Sequence, residues 1–391
     1  MLLSLALIFL FGVILGTIFN KLKLPRLLGM LLIGIIFGPY ALNLLDQKIL
    51  LISSDLRQIA LIIILTRAGL NLDINDLKKV GRPAFLMCFI PATLEIIGTI
   101  LFAPILLNIK LIDAAILGAV IAAVSPAIVI PKMLKLIEKN YGKEKSIPQL
   151  IMTGASVDDI YVITLFTSFL GFASNGNFSP SVFLKVPTSI LFGILIGYFC
   201  ALILIILLKK LHIRDSLKVI ITLSMSFLLV SLEKIMKGNI TFSSLLSIMA
   251  LGVTINSNYN ILSKRLSLKY SKLWIASELL LFVLVGASVN IKYALGFSFS
   301  SIILILIVLI FRMFGVFLSL LKTSLNLKEK LFCMISYSPK ATVQAALGGI
   351  PLSLGLSSGN TILIVSVLSI LITAPLGSYF MDITYKKFLS P

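Results

Sequence analysis

The chain has few of the side chains that build metal or disulfide sites. Among its 391 residues there are three cysteines, one histidine and one tryptophan. Cys88, Cys200 and Cys333 all lie in apolar runs without CxxC spacing, and His212 lies in a basic segment. We therefore expect neither a disulfide framework nor a zinc site, and nothing in the sequence indicates a cofactor.

Acidic residues are also scarce, with 15 against 34 basic residues and a net charge of +19. Such a charge invites a nucleic-acid partner, but the basic residues are spread in small groups between apolar runs instead of forming one patch. Long polar stretches are missing as well, so we expect no soluble domain. The charge distribution favours a membrane partner over a nucleic acid.

Apolar runs of about 20 residues dominate the chain, and that is the length that crosses a hydrocarbon core of about 30 Å. Hydrophobic residues make up 59% and charged residues 13%. We predict an all-α polytopic membrane protein with thirteen spans. The predicted spans are residues 2–20, 27–44, 49–70, 83–107, 112–136, 148–173, 186–208, 217–235, 240–256, 271–290, 298–321, 330–349 and 359–385.

The basic residues alternate between the two sides of these spans. Twenty-four of the 34 lie after odd-numbered spans and six after even-numbered ones. Because cytoplasmic loops carry the excess of Lys and Arg, the N-terminus is expected outside and the C-terminus in the cytoplasm. Met1 leads directly into apolar residues, so we interpret the first segment as a retained span and not as a cleaved signal peptide.

Asp158 and Asp159 are adjacent in the apolar run from Ile147 to Phe172. A carboxylate at a bilayer centre costs about 2.5–3.5 kcal/mol, so two adjacent ones indicate a functional site. An intramembrane aspartyl protease also needs two aspartates, but they must converge from separate helices. Adjacent residues point about 100° apart on one helix, which argues against a protease.

Four basic residues lie inside the predicted spans. Arg57 and Arg67 are near the ends of the third span and are expected to reach the interface by snorkelling. Arg312 lies 217 residues after Glu95, each the lone charge of its span. A buried guanidinium needs a counterion, so we expect a structural ion pair between Glu95 and Arg312. The fourth, Lys340, directly follows a proline.

The fifth and twelfth spans each contain a Ser-Pro pair, Ser125-Pro126 and Ser338-Pro339. Proline removes a backbone donor, so both helices should kink or unwind there. Span three resembles span ten, span four resembles span eleven, and span five resembles span twelve. The span numbers in each pair differ by seven, an odd number, so the two spans of a pair cross the membrane in opposite directions. This parity predicts two inverted-topology repeats with two crossed, broken helices. Polar side chains beside the breaks, which are Ser125, Thr342 and Gln344, favour an ion site over simple kinks. We expect Lys340 to place its ammonium near the carbonyl ends.

The sequence motifs of this chain together resemble those of the monovalent cation/proton antiporter superfamily, and most closely those of its NHA-type sodium/proton antiporter subgroup. The matching strings are Leu24-Pro25 with Gly29 and Gly38-Pro39, Arg67-Ala68-Gly69-Leu70, Val124-Ser125-Pro126-Ala127, Ser156-Val157-Asp158-Asp159, Arg312 with Gly315, and Pro339-Lys340-Ala341-Thr342-Val343-Gln344-Ala345-Ala346. They extend over nearly the whole chain.

The resemblance implies an antiporter fold in which a core domain moves against a dimerisation domain. The implied parts are dimerisation helices in 1–82 and 212–297, core helices in 83–175 and 298–391, and a linker helix in 176–211. It also implies a homodimer in a plasma membrane, and the compact chain suggests a bacterial inner membrane. We expect such a protein to serve pH homeostasis.

The resemblance further implies that Asp159 binds the cation and exchanges the proton, while Asp158 supports the site. Some relatives carry a lysine where this chain has Arg312; an arginine keeps its proton, which argues against a lysine-type proton cycle. We predict a transporter, not an enzyme, that exchanges sodium or lithium for protons, with Ser125 and Thr342 as further ligands. Potassium/proton antiport, a cation channel and a sodium-coupled organic-anion symporter remain alternatives.

Overall fold

The computed structural model is all-helical over the residues that it describes, which are 1–22, 24–72, 81–175, 181–210, 213–236 and 242–390. In chain order the helices are α1 (Leu2–Lys21), α2 (Arg26–Phe37), α3 (Gln47–Leu51), α4 (Ser53–Asn71), α5 (Arg82–Met87), α6 (Ile90–Leu107), α7 (Leu111–Ile121), α8 (Pro126–Glu138), α9 (Ile147–Asn175), α10 (Ser181–Lys210), α11 (Asp215–Ile235), α12 (Ser244–Asn258), α13 (Asn260–Ala287), α14 (Ile291–Ser319), α15 (Leu327–Ser336), α16 (Thr342–Leu347), α17 (Ile350–Ser353) and α18 (Gly359–Phe388).

Nine helical stretches within the described ranges are long and apolar enough to cross a membrane. Two of them join neighbouring helices: Arg82–Leu107 contains α5 and α6, and Leu111–Glu138 contains α7 and α8. The apolar helix α2 is shorter, with 12 residues, and α12 has 15 residues. The expected multi-pass helical protein is confirmed, because apolar helices of this kind satisfy their own backbone groups in lipid. The count of thirteen spans stays a prediction.

Helices α13 and α14 begin well before the residues that hydropathy predicts. Helix α13 begins at Asn260 and not at residue 271, and α14 begins at Ile291 and not at residue 298. The basic segment Lys264–Lys272, expected as a loop, is therefore helical, and only Tyr259 separates α12 from α13. Hydropathy marks the part of a helix that lipid covers. Lys and Arg are good helix formers, so a helix can continue past that part into water.

One compact unit consists of Met1–Arg57, Asp76–Val162 and Leu279–Pro391. Within it α6 packs along α14, α1 along α2, and α18 against α15 and α7. The contact between α6 and α14 is close, because a Cβ on Gly315 would lie 2.6 Å from the Cα of Pro91. The two spans with Ser-Pro pairs, α7 with α8 and α15 with α16, belong to this unit.

The second compact unit consists of Gln58–Asn75 and Ile163–Glu278. Its helix α12 packs extensively against α10 and also contacts α11. Gly69 of α4 and Gly252 of α12 approach so closely that a Cβ on Gly252 would lie 2.8 Å from the Gly69 carbonyl carbon. Small residues of this kind let membrane helices pack backbone to backbone.

The predicted linker helix covers residues 176–211. Its two ends lie outside the described ranges, because residues 176–180 and 211–212 are not among the described residues. The division into core and dimerisation helices stays a prediction, as do the two inverted repeats and the homodimer.

Candidate cation site

Two helix interruptions meet at the centre of the candidate site. Helix α7 ends at Ile121 and α8 begins at Pro126, while α15 ends at Ser336 and α16 begins at Thr342. Pro126 takes the first position of α8, where its missing N–H costs no helical hydrogen bond. Pro339 lies within the second interruption. The two interruptions contact each other directly, because the Ser125 N–H donates to the Pro339 carbonyl at 2.8 Å.

The carbonyls at the C-terminal end of α7 and just after it accept hydrogen bonds from side chains of other parts of the chain. A helix C-terminus carries partial negative charge, so a cation or an amide donor is stabilising there. The carbonyl and donor pairs are Ile121 with the Lys340 ammonium, Ala122 with the Arg312 guanidinium, and Ala123 with the Gln344 amide. Gln344 also accepts from the Ala341 N–H at 2.8 Å, which ties the start of α16 to the end of α7.

Two acids and two bases form a buried network beside these carbonyls. Arg312 donates to Glu95 at 2.9 Å and to Asp158 at 2.9 Å, and Lys340 donates to the other oxygen of Glu95. None of the four side chains is more than 1% exposed. The structure thus brings together the expected pair of Glu95 and Arg312, and it adds Lys340 and Asp158 to the same network. Each charge of this network has a counterion within it, as the cost of desolvation demands.

Asp158 and Asp159 have different surroundings although they are adjacent on α9. One oxygen of Asp158 accepts from Arg312 and from the Val124 N–H, both at 2.9 Å. Asp159 is 8% exposed and forms no ion pair with any residue in the described ranges. The helix geometry causes the difference, because neighbouring side chains point about 100° apart. Only Asp158 therefore faces Arg312.

Three of the four expected ligand residues have an enclosed oxygen without a hydrogen-bond partner in the described part of the chain. These oxygens are Oγ of Ser125, Oδ1 of Asp158 and Oδ1 of Asp159. Thr342, the fourth expected ligand, is 3% exposed and begins α16. A buried polar atom without a partner is costly, and most such atoms in proteins are paired. Carboxylate and hydroxyl oxygens are the ligands that hard cations prefer.

Tyr337 is a site residue that the sequence analysis did not find. Its carbonyl accepts from Nε of Arg312 at 2.6 Å, and its ring lies 5.4 Å from the guanidinium. The one available signal was Pro339, because a proline frees carbonyls in the preceding turn. The backbone of Lys340 is likewise held by Thr373, whose hydroxyl accepts from the Lys340 N–H at 3.0 Å. No sequence pattern indicated Thr373.

Arg57 departs from its expected position. Snorkelling to the interface would expose the guanidinium, but Arg57 is 8% exposed. Its Nε donates to the Ser53 carbonyl one turn earlier at 3.2 Å, which bends the side chain back along α4. The expectation of snorkelling is therefore wrong for Arg57.

The family of the chain follows from its match to known sequences. The family model described as sodium/hydrogen exchanger, transmembrane, matches residues 5–384. The chain belongs to the sodium/hydrogen exchanger family. This exchanger is 33% identical over 392 residues to sodium/hydrogen exchanger 9B2 of Homo sapiens, with 94% of this chain and 70% of that protein covered. It is 32% identical over 385 residues to sodium/hydrogen exchanger 9B1 of Homo sapiens, with 94% and 73% covered.

Solved structures show the same fold. The sodium proton antiporter MjNhaP1 from Methanocaldococcus jannaschii, at pH 8, matches with a TM-score of 0.87 and 20% identity, over 99% of this chain and 98% of that one. An electron-microscopy structure of the same antiporter gives a TM-score of 0.75 and 21% identity, over 98% and 96%. The predicted antiporter fold is confirmed. As a member of the exchanger family, the chain is a multi-pass cation/proton antiporter and not an enzyme.

Proposed function

We propose that this exchanger carries sodium or lithium in one direction and protons in the other by alternating access, and that Asp159 is the shared ligand. Asp158, Ser125 and Thr342 complete the cation site. The observation that carries the proposal is the group of three enclosed oxygens, on Ser125, Asp158 and Asp159, that have no partner in the described residues. Sodium or lithium and the proton are then substrates, and no bound cofactor is needed.

Competition at one carboxylate couples the two fluxes. An ionised Asp159 without a counterion is costly in a low-dielectric site, so it must be neutralised by a proton or by a cation. When the cation binds, the proton leaves, and the reverse also holds. A carrier that changes the side of access only in a neutralised state exchanges the two ions without leaking either.

The surrounding charges support a different role for Asp158. Glu95 and Asp158 are balanced by Arg312 and Lys340, so each buried acid of the network already has a buried base. An arginine does not release its proton in a protein. Asp158 is therefore kept ionised and offers its free oxygen to the cation, while Asp159 alone changes protonation during transport.

The test is cation-dependent dequenching of a pH dye in proteoliposomes that hold the purified protein and a proton gradient. Sodium and lithium are expected to dissipate the gradient through wild type, whereas Asp159→Asn, which cannot ionise, should give no response above protein-free liposomes. Asp113→Asn is the matched control. Asp113 is another buried acid, but it bonds the Ser358 hydroxyl at 2.7 Å, outside the site.

The outcomes of this assay separate the alternatives. Wild-type exchange rates in Asp159→Asn would contradict the proposed role of Asp159. A response to potassium alone would indicate potassium/proton antiport, and cation flux that persists without any proton counterflux would indicate a channel. Transport that requires an added organic anion would indicate a symporter.

We also propose that the N-terminus lies outside and the C-terminus in the cytoplasm of a plasma membrane. The excess of Lys and Arg after odd-numbered spans supports this orientation. A fluorescent protein fused after Pro391 should fold and fluoresce in bacterial cells, and alkaline phosphatase fused there should be inactive. An active phosphatase fusion would reverse the orientation.

A further inference from the structure

Arg57 is a buried cation outside the network that serves the cation site. Its side chain is 8% exposed, and its Nη1 makes no hydrogen bond within the described residues. No carboxylate in the described part of the chain forms an ion pair with it. The two buried bases of the site, Arg312 and Lys340, contrast with it because each has a carboxylate partner. An enclosed guanidinium without a counterion is strongly unfavourable.

Ser53 supplies a second unused donor beside Arg57. Its Oγ is enclosed and has no hydrogen-bond partner among the described residues. Ser53 and Arg57 are four residues apart on α4, so they lie on the same face of the helix. The bond from Nε of Arg57 to the Ser53 carbonyl bends the guanidinium toward that serine. The unused donors of the two residues therefore belong to the same face at the start of α4.

The chemistry of these donors restricts what can bind between them. A guanidinium has donors only, and a serine hydroxyl can donate one hydrogen bond. The missing partner must accept hydrogen bonds, and it must carry negative charge to balance the guanidinium. A water molecule satisfies the first condition and not the second, which leaves an anion.

Gly349 covers the guanidinium from another part of the same compact unit. A Cβ on Gly349 would lie 2.0 Å from Nη1 of Arg57, so a side chain there would displace the guanidinium. Gly348 and Gly349 connect α16 to α17, and α16 carries Thr342 and Gln344 of the cation site. Although the C-terminal end of α16 attracts positive charge, Nη1 bonds none of its carbonyls. The helix end is therefore not a substitute for a counterion.

We propose that Arg57 and Ser53 form a binding site for a small inorganic anion of the chloride class. The anion enters when the segment at Gly349 moves away from the guanidinium, and Arg57 remains without a counterion when that segment closes over it. A monatomic anion needs the smallest displacement of that segment, whereas a lipid phosphate would bring its headgroup and glycerol with it. Since Gly349 follows α16, anion binding is linked to the position of a helix that carries cation-site residues.

Direct binding is tested by thermal unfolding of the purified protein in detergent at constant sodium concentration, with chloride replaced stepwise by gluconate. A ligand that binds the folded state alone raises the unfolding temperature with its concentration. We expect a saturable stabilisation of wild type by chloride and none of Arg57→Gln. Ser53→Ala loses one hydrogen bond to the anion and should bind chloride about tenfold more weakly. Lys48→Gln removes an exposed charge near the same helix end and should behave as wild type.

Three results would overturn the proposal. They are a wild-type protein whose unfolding temperature is equal in chloride and gluconate, an Arg57→Gln variant that keeps the chloride response, and a Lys48→Gln variant that loses it. The Ser53→Ala variant keeps the test decisive if Arg57→Gln does not fold. This assay uses no ion gradient. A negative result would therefore contradict the anion site without contradicting the proposed cation exchange through Asp159.

A second measurement locates the anion. Crystals soaked in bromide should show an anomalous peak within hydrogen-bonding distance of Nη1 of Arg57 in wild type. The peak should be absent in Gly349→Ala, because the added methyl group would displace the guanidinium. A peak elsewhere on the chain with none at Arg57, in a protein that chloride stabilises, would assign the stabilisation to another site and refute this one.

Discussion

Glu95 is the counterion of both buried bases in the network. Each of its carboxylate oxygens bonds a different base, Arg312 through one and Lys340 through the other. Both bases in turn donate to carbonyls at the end of α7, so Glu95 holds two cations where they can cap that helix. A buried pair adds little net stability compared with apolar residues, but the loss of one partner leaves a bare charge behind.

We therefore predict that Glu95→Gln lowers the free energy of unfolding by about 3–5 kcal/mol, since Lys340 would lose its carboxylate partner and Arg312 would keep only Asp158. Chemical denaturation in detergent measures the change. Glu138→Gln, on an exposed position at the end of α8, should cost less than about 0.5 kcal/mol. Equal stability of the two variants would mean that Glu95 does not balance Arg312 and Lys340 in the folded protein.

At the scale of helices, close backbone packing positions α2 against α13. A Cβ on Gly34 would lie 2.0 Å from the Val283 carbonyl oxygen and 2.9 Å from the Ala287 nitrogen. Backbone atoms cannot rotate away as a side chain can, so the two helices would have to separate. In membranes, where lipid is as apolar as the helix surfaces, such close contact is a main source of helix association.

Gly34→Ala is therefore expected to destabilise the protein by about 1–3 kcal/mol or more, and to lower the yield of monodisperse protein in detergent. Gly171→Ala is the matched control. Gly171 is also in a helix, but a Cβ there would meet nothing within 4 Å, and alanine is the better helix former. A Gly34→Ala variant as stable as Gly171→Ala would show that α2 and α13 tolerate a wider spacing.

At the scale of the whole molecule, the charges fix how many protons each transported cation can replace. Two acids and two bases neutralise each other in the buried network, and Asp159 is the remaining acid of the pair on α9. If Asp159 alone titrates during transport, one monovalent cation replaces one proton. No net charge then crosses the membrane.

We predict one-for-one, electroneutral exchange. Rates of sodium/proton exchange in proteoliposomes should be the same when potassium and valinomycin clamp the membrane potential at 0 mV or at 100 mV of either sign. Movement of one net charge would couple to such a potential with about 2.3 kcal/mol per 100 mV, enough to alter the rate severalfold. An exchange rate that changes with the membrane potential would require a second titrating group. Asp158 and Lys340 would then be the next residues to substitute.

The sequence by itself determined the membrane class, the all-helical fold and the two interruptions near the Ser-Pro pairs. Apolar runs of membrane length leave few other folds, and a proline removes a backbone donor. Proline alone does not decide an interruption, because Pro104, Pro131 and Pro375 lie inside continuous helices. The sequence also pointed to the important charges, because Asp158, Asp159, Glu95 and Arg312 are rare residues at costly depths. The sequence did not predict the start of α13 correctly, since hydropathy indicates only the part of a helix in contact with lipid and a helix can continue beyond it.

Only the tertiary structure decided how these charges are shared. Asp158 and Asp159 are equivalent in sequence, but the fold places Arg312 beside Asp158 and leaves Asp159 without an ion pair among the described residues. It brings Lys340 to Glu95 across 245 positions of the chain, and it encloses Arg57 beneath Gly349. Which buried charges meet depends on how helices pack in three dimensions, whereas sequence patterns report each helix separately.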